Sequence, residues 1–366
     1  MRGRCDPQLS MLAFVNLDAR VPADHPLRVV KRFADRALAV LSPVFDRMYA
    51  AGGRPSIPPE VLLKANLLIA LYSIRSERAF CEELEYHLLY RWFLGMNVVD
   101  PGFDASTFAK IRERLLRHEA AQRFFDEVVF AADRLGLLSD AHFTVDGTLI
   151  EAAASLKSFR SKHEPPVTES MDDPGNPTVD FRGERRSNAT HASTTDPEAR
   201  LMRKGKGKEA RLVFVGHALM ENRHGLLVDF QVTQATGTAE RDIVPVLLDE
   251  ARECGFRPRT LGTDKGYDTR ECVAAMRKRK VTPHVARNTN GRRSANDGRT
   301  TSWPGYLLSQ RIRKRVEEVF GWMKTVGGFR RTRYRGVART RFAGYLVATA
   351  YNLVRLARLV PKPATG

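Results

Sequence analysis

The chain has 366 residues, with 60 Lys+Arg against 42 Asp+Glu and a formal net charge of +18. That length allows two or three domains with a proper core, and 43% hydrophobic content excludes a disordered chain. So basic a balance predicts a polyanionic partner; the apolar stretches 61–72 and 342–354 are too short to span a bilayer, which leaves nucleic acid rather than a membrane.

Residues 26–50 and 59–95 read as helices. In PEVLLKANLLIALYS, Val61, Leu62, Ala65, Leu68, Ile69 and Tyr72 recur at three and four, one face of a helix, and Pro58 and Pro59 suit its first turn. The pair 59–72 and 77–94 with its short turn is reminiscent of a helix-turn-helix, and packing or dimerisation is an equal reading of it. DASTFAKIRERLL opens on capping residues Asp104 to Thr107 and continues helical. Residues 1–138 are therefore expected to be all helix, for DNA-end recognition, dimerisation or both.

The texture changes at residue 141. HFTVDGTLIEA carries a short β-rich run, FTV, ending on Asp146 and Gly147. Residues 155–210 are rich in Pro, Gly, Ser, Thr and mixed charge, and read as a mobile polar insertion. Within it, RKGKGKEAR (203–211) is a flexible basic segment and no phosphate-binding loop, since no GxxxxGK precedes a Ser or Thr. RLVFVGHALMENRHGLLVDFQVTQ reads as a hairpin around NRHG. A helix follows in TAERDIVPVLLDEARECG, stopped by Gly255, with Pro245 either kinking it or marking its start. RTLGTDKGYD is a strand ending on Asp264, TRECVAAMRKRK a helix, TPHVA a last strand. Helices over 311–324 and about 338–360 close the chain. This order gives a mixed α/β layout for 139–362.

Cys5, Cys81, Cys254 and Cys272 are scattered, without metal-site spacing, and read as reduced, buried thiols of a cytoplasmic protein; MRGRCDPQLS has no signal-peptide apolar run. His142, His217, His224 and His284 are unclustered in sequence and read as packing residues. Over 301–366 there are 14 Lys and Arg against 2 acids, Glu317 and Glu318. On one continuous helix Ile312, Val316, Phe320 and Met323 share a face. Arg313, Glu317 and Lys324 form a second stripe at the rim of that face, and Glu318 points nearly opposite the core. A carboxylate flanked by two cations suits a phosphodiester with a divalent ion; the plain alternative is an ion pair with Arg313. Asp146 and Asp264, closing two strands, are the acids that an α/β sheet would bring to one crevice.

Together these motifs resemble the DDE transposases of bacterial insertion sequences, in the insertion-sequence-five group and its relatives. DHPLR (24–28), GRPSIPPEVLLK (53–64) and SIRSERAFCEELEYHLLYRWFLGM (73–96) carry the likeness in the first region. TVDGTLIEA (144–152), GTDKGYD (262–268) and RKRVEEVFGWMKTVGGFRRTRYRG (313–336) carry it in the second. The resemblance implies an RNase H-like mixed sheet flanked by helices and a metal-binding, catalytic triad of Asp146, Asp264 and Glu317. It further implies two Mg²⁺ ions, with Mn²⁺ as a substitute, and cutting and joining of double-stranded DNA at the element's ends by a homodimer or higher assembly. Arg313, Glu317 and Lys324 match the R, E and K of a Y-x2-R-x3-E-x6-K signature, whereas Gln310 stands where the Tyr would be. Arg313, Lys324, Arg330, Arg331, Arg333 and Arg335, continuing to Arg339 and Arg341, are the expected DNA-backbone contacts. A non-catalytic DNA-binding protein, or a nuclease without strand transfer, is the competing reading.

Overall fold

The computed structural model describes residues 15–49, 52, 56–162, 186–203, 209–291 and 293–360. Its first part is helical throughout: α1 (Leu17–Arg20), α2 (Pro26–Val40), α3 (Ser42–Asp46), α4 (Pro59–Leu71), α5 (Glu77–Leu84), α6 (Leu88–Leu94), α7 (Ala105–Arg117) and α8 (Ala120–Arg134). The local signals explain the starts. Ser76 accepts from the Ala79 amide at 3.1 Å, and Asp104 from the Ser106 amide at 2.7 Å. The two long helices read from sequence are broken: 26–50 divides at Leu41, and 59–95 is three helices. Periodicity continued across these breaks because each short helix faces the same core.

The second part runs β1 (Phe143–Glu151), β2 (Phe159–Ser161), β3 (His191–Ser193), β4 (Arg200–Arg203), β5 (Ala210–Glu221), β6 (Leu226–Gln234), α9 (Ala239–Glu253), β7 (Thr260–Thr263), α10 (Arg270–Lys278), β8 (Thr282–Val285), α11 (Gly298–Thr301), α12 (Pro304–Ile312), α13 (Val316–Lys324) and α14 (Val337–Leu359). β1, β5 and β6 are antiparallel in turn, while β7 and β8 add parallel to the other edge of β1. β4 extends the sheet along β5. Three antiparallel strands followed by two parallel ones, with β1 in the middle, is the RNase H-like order, and the mixed sheet is as expected. The parallel steps need crossovers, which α9 and α10 supply.

Three expectations are corrected. β1 does not end on Asp146: it continues to Glu151, paired with β5 as far as Val213. The Asp-Gly pair is therefore not a turn. The insertion at 155–210 contains a hairpin, β2 with β3, and β4; the residues 163–185 and 204–208 lie outside the described residues. Polar side chains stabilise this part in place of apolar periodicity. Ser193 Oγ accepts from the Asp196 amide at 3.0 Å, and the Asp196 carboxylate accepts from the Gly336 amide at 3.2 Å. Finally, 311–324 is not one helix: a 3₁₀ turn over Arg313–Arg315 separates α12 from α13. Pro245 lies inside α9, and Gly255, at φ +95°, stops it.

One hydrophobic core runs from Val21 to Leu356 through both parts. α14 joins them, packing on α2, α4 and α8 on one side and on β6 on the other. At Gly344 the approach is close enough that a Cβ would sit 2.4 Å from the Phe230 ring. Asn352 clamps the start of β6 by bonding both the amide and the carbonyl of Leu227, at 2.9 and 2.8 Å. The helix-turn-helix reading loses its support here: most of α4 is core, and α5 with its C-cap presents Glu82, Glu83 and Glu85, a poor surface for phosphates. Cys272 is buried, Cys81 and Cys254 are half-buried, and Cys5 lies outside the described residues. No described helix is long and apolar enough to cross a membrane.

Acids are buried where α8, α9, β6 and α14 meet. The Tyr345 hydroxyl donates to Asp229 Oδ1 at 3.0 Å, and Gln231 Nε2 donates to Glu250 Oε2 at 2.6 Å. Burial, then the Glu250 charge, pushes Asp126 up to about 7 from an ordinary 3.8. A carboxyl that titrates higher folded than unfolded gives stability that is full below pH 3.8 and lost as pH rises through about 7. Asp126→Asn should therefore be more stable than the parent at pH 8, with the gap closing by about pH 4, as read from urea unfolding at both pH values.

Candidate active site

The parallel register fixes the first pair of acids. Phe143 stands beside Leu261 and Thr144 beside Gly262. Two residues further on come Asp146, still in β1, and Asp264, just past the end of β7, which the register directs to the same face. β7 stops at Thr263, so the crevice opens there, and Asp146, although mid-strand, lies on the edge that β7 has left. Each acid has one oxygen held by main chain: Asp146 Oδ1 accepts from the Gly147 amide at 2.8 Å, and Asp264 Oδ1 from the Gly266 amide at 2.7 Å.

Arg313 is on that same face. A Cβ on Gly262 would lie 3.3 Å from Arg313 Cβ and 3.1 Å from Ser309 Oγ, so α12 and the 3₁₀ turn rest directly on the glycine. At the other end, Lys324 lines a groove with Leu149, Glu151, Arg211 and Arg330. The segment thus runs alongside β1 in its own direction, from the level of Thr144 to that of Leu149. Eleven helical residues cover about 16 Å and five strand residues about the same. Glu317 lies in the first turn of α13, four residues past Arg313. Val316, Val319, Phe320 and Met323 are the buried face of α13, and Glu317 and Glu318 are both exposed. The 3₁₀ turn winds tighter than an α-helix, so Arg313 is not in strict helical phase with Glu317, whereas Lys324, on α13 itself, is. Among the described residues no three His, Cys, Asp or Glu side chains already stand at metal-ligand spacing.

Burial drives the electrostatics. Asp146 is pushed up to about 7, first by burial, with the charges of Asp264 and Glu240 adding to the push and Arg313 opposing it. Glu240 is raised in turn by burial and then by Asp264. Sequence reading missed Glu240. It stands at the start of α9, and the explanation of the Asp-Gly pair involves it. A Cβ on Gly147 would lie 2.6 Å from Glu240 Oε1 and 2.9 Å from its Cγ, so the glycine leaves room for this side chain. Nothing in TAERDIVP marks Glu240 apart from Asp242 or Glu250; only the register of α9 over β1 selects it.

Gln310, at the place of the signature Tyr, fixes the arginine beside the acids. Gln310 Nε2 donates to the His284 carbonyl at 2.5 Å, and Arg313 Nε donates to Gln310 Oε1 at 3.0 Å. His142 and His284, distant in sequence, are neighbours with ring centroids 5.9 Å apart, contrary to the unclustered reading; burial lowers both, His142 to about 4. Both rings are thus neutral, and His142 packs on the same side of Gly262 as Ser309 and Arg313.

The basic tail divides. Arg330 and Arg335 are exposed, and Arg330 lies in the groove with Lys324. Arg331 Nε donates to the Ala152 carbonyl at 3.2 Å, Arg333 to the Ile74 carbonyl at 2.6 Å, and Arg339 pairs with Glu113 at 2.7 Å. Arg341 bonds Gln231 Oε1 at 3.4 Å. Together with Tyr334, whose hydroxyl donates to Glu77 at 2.7 Å, Arg333 and Arg339 tie the tail to the helical part. Arg331, Arg333, Arg339 and Arg341 are exposed as well.

A parallel pair of carboxylates on an RNase H-like sheet, with a cation-flanked helix alongside, defines a class of phosphodiester-processing proteins. Residues 140–353 match the family described as "Transposase DDE domain", and residues 15–114 match "Transposase domain (DUF772)". The first match spans more than half of the chain, which belongs to the DDE transposases. No curated protein matches it. Among solved structures it is similar to a pre-cleavage Mos1 transpososome, with 10% identity, 84% of this chain and 82% of that one covered, and a TM-score of 0.21. It is also similar to a Mos1 transposase paired-end complex with left transposon end, with 10% identity, 77% and 82% covered, and a TM-score of 0.21. Likenesses this low add nothing to the strand order described above.

Proposed function

We propose that this transposase cleaves and joins double-stranded DNA at the ends of an insertion sequence, with Asp146, Asp264 and Glu317 as its catalytic acids. The observation that carries the reading is the register that brings Asp146 and Asp264 to one sheet face, where burial and then the charge of Asp264 push Asp146 up. The donors fit a hard divalent cation, being oxygen only, and the half-neutralised Asp146 is a carboxyl that a cation would discharge. Asp146, Asp264 and Glu317 would hold two Mg²⁺ ions, or Mn²⁺ in their place. When bound, these supply Lewis-acid stabilisation to the attacking and leaving oxygens of an in-line displacement.

The chain's own residues do the positioning. Arg313, held by Gln310, offers its remaining N–H groups to a phosphate in the crevice. Lys324 and Arg330 extend the positive edge along β1, where the backbone of a duplex would lie. Arg335 adds an exposed cation beyond them. Joining two ends in one reaction calls for two chains on the DNA, and in that assembly the helical part is the surface left for contact between copies or with the end sequences.

Cleavage of the flanking terminal repeats by the purified protein in Mg²⁺ tests the triad. Asp146→Ala, Asp264→Ala and Glu317→Ala should each lower cleavage by about 10³-fold or more, while Glu318→Ala stays within about threefold. Activity retained in the triad variants rules the reading out, and products that are cut but never joined identify a nuclease. For the basic edge, Lys324→Ala and Arg330→Ala should each weaken binding across all DNA sequences and reduce the slope of log K against log salt by about 1, measured by fluorescence anisotropy. An unchanged slope removes that residue from the phosphate track.

A further inference from the structure

Glu240 belongs to the same acidic centre but approaches it from the other face of the sheet. Asp146 points toward Arg313 and α13, and the next residue, Gly147, faces α9. Glu240 lies flat on that glycine, with Oε1, Cγ and Cδ all within 3.0 Å of where a Cβ would be. Glu240 is half-buried, and among the described residues its carboxylate has no hydrogen-bond or ion-pair partner. A second group belongs to the turn that follows Asp264: the Tyr267 hydroxyl is buried and, among the described residues, without a partner. Burial holds this phenol well above its ordinary value, and the charges of Asp146, Glu240 and Asp264 add to the push.

A buried hydroxyl without a partner, and like charges that repel one another, cost stability as the chain stands. A divalent cation at Asp146 and Asp264 would offset that cost, since Glu240 then supplies charge and the hydroxyl an oxygen behind the ligands. From this geometry we infer that Glu240 is a fourth acid of the divalent-cation centre, a positioning residue that raises its affinity for the cation from behind β1. The inference rests on the metal-binding reading of Asp146 and Asp264. A mere filler of the space over Gly147 would need the volume of the side chain and not its charge.

Mn²⁺ binding to the full chain without DNA, measured by isothermal titration calorimetry, separates these. Outer partners of metal ligands contribute about 10- to 100-fold in affinity. Glu240→Gln should weaken Mn²⁺ binding about tenfold or more, while its Tm in EDTA stays at or above that of the parent, because a like charge has been removed. Mn²⁺ affinity unchanged in Glu240→Gln overturns the inference. If the Gln variant also melts earlier in EDTA, Glu240→Asp decides: recovered Mn²⁺ binding supports the role, and continued loss overturns it. Asp146→Ala tests the underlying reading separately, since full Mn²⁺ affinity in that variant would remove the centre itself, whatever Glu240 does.

Discussion

Two carboxylates held next to each other on neighbouring strands are the constraint around which the rest is arranged. Parallel pairing of β1 with β7, whose last partners are Thr144 and Gly262, directs Asp146 and Asp264 two residues further on to one face of the sheet. Burial then raises the cost of charging Asp146. Such a pair is unfavourable for folding alone, and the surrounding residues divide into those that bear this cost and those that use it. The continuous core and the 23-residue helix α14 bear it, fastening the sheet to the helical part over most of the chain. Arg313, placed over Gly262 and fixed by Gln310, uses it, as a positive charge beside the negative pair.

The same geometry gives the glycines of the two motifs different purposes. Gly262 in GTDKGYD is where α12 and Arg313 rest on the sheet. Gly147 in VDGT is where Glu240 crosses it. Neither is a turn residue, and neither purpose requires a left-handed backbone, since neither has a positive φ. What each motif conserves for the chain is a place without a side chain next to a residue with a charge.

Much of this was legible in the residues. Helical spacing in 59–72, the hairpin around 222–225, and the strands before Asp264 and at 282–285 all follow from local pattern, as does the buried face of α13 that separates Val316 and Phe320 from Glu317. The failures share a cause. Asp146 read as a strand end because Asp-Gly favours turns, yet nine backbone pairings with β5 carry the strand through it. The segment 155–210 read as unstructured because its buried groups, such as His191, Ser193 and Asp196, are polar and hydrogen-bonded. Charge in a sequence carries no partner, so the bonds of Arg333 to Ile74 and of Arg339 to Glu113 had no local signal either. Glu240 had no local signal at all, since only a long-range packing of α9 over β1 distinguishes it from other acids.

The central claim is that the crevice at the end of β7 is a divalent-cation site. Crystals of the protein soaked in Mn²⁺ and measured at the manganese absorption edge test it most directly. The account predicts anomalous density between the carboxylates of Asp146 and Asp264, on the side of the sheet that α13 covers. Saturating Mn²⁺ with density elsewhere, or with none at that pair, would contradict it.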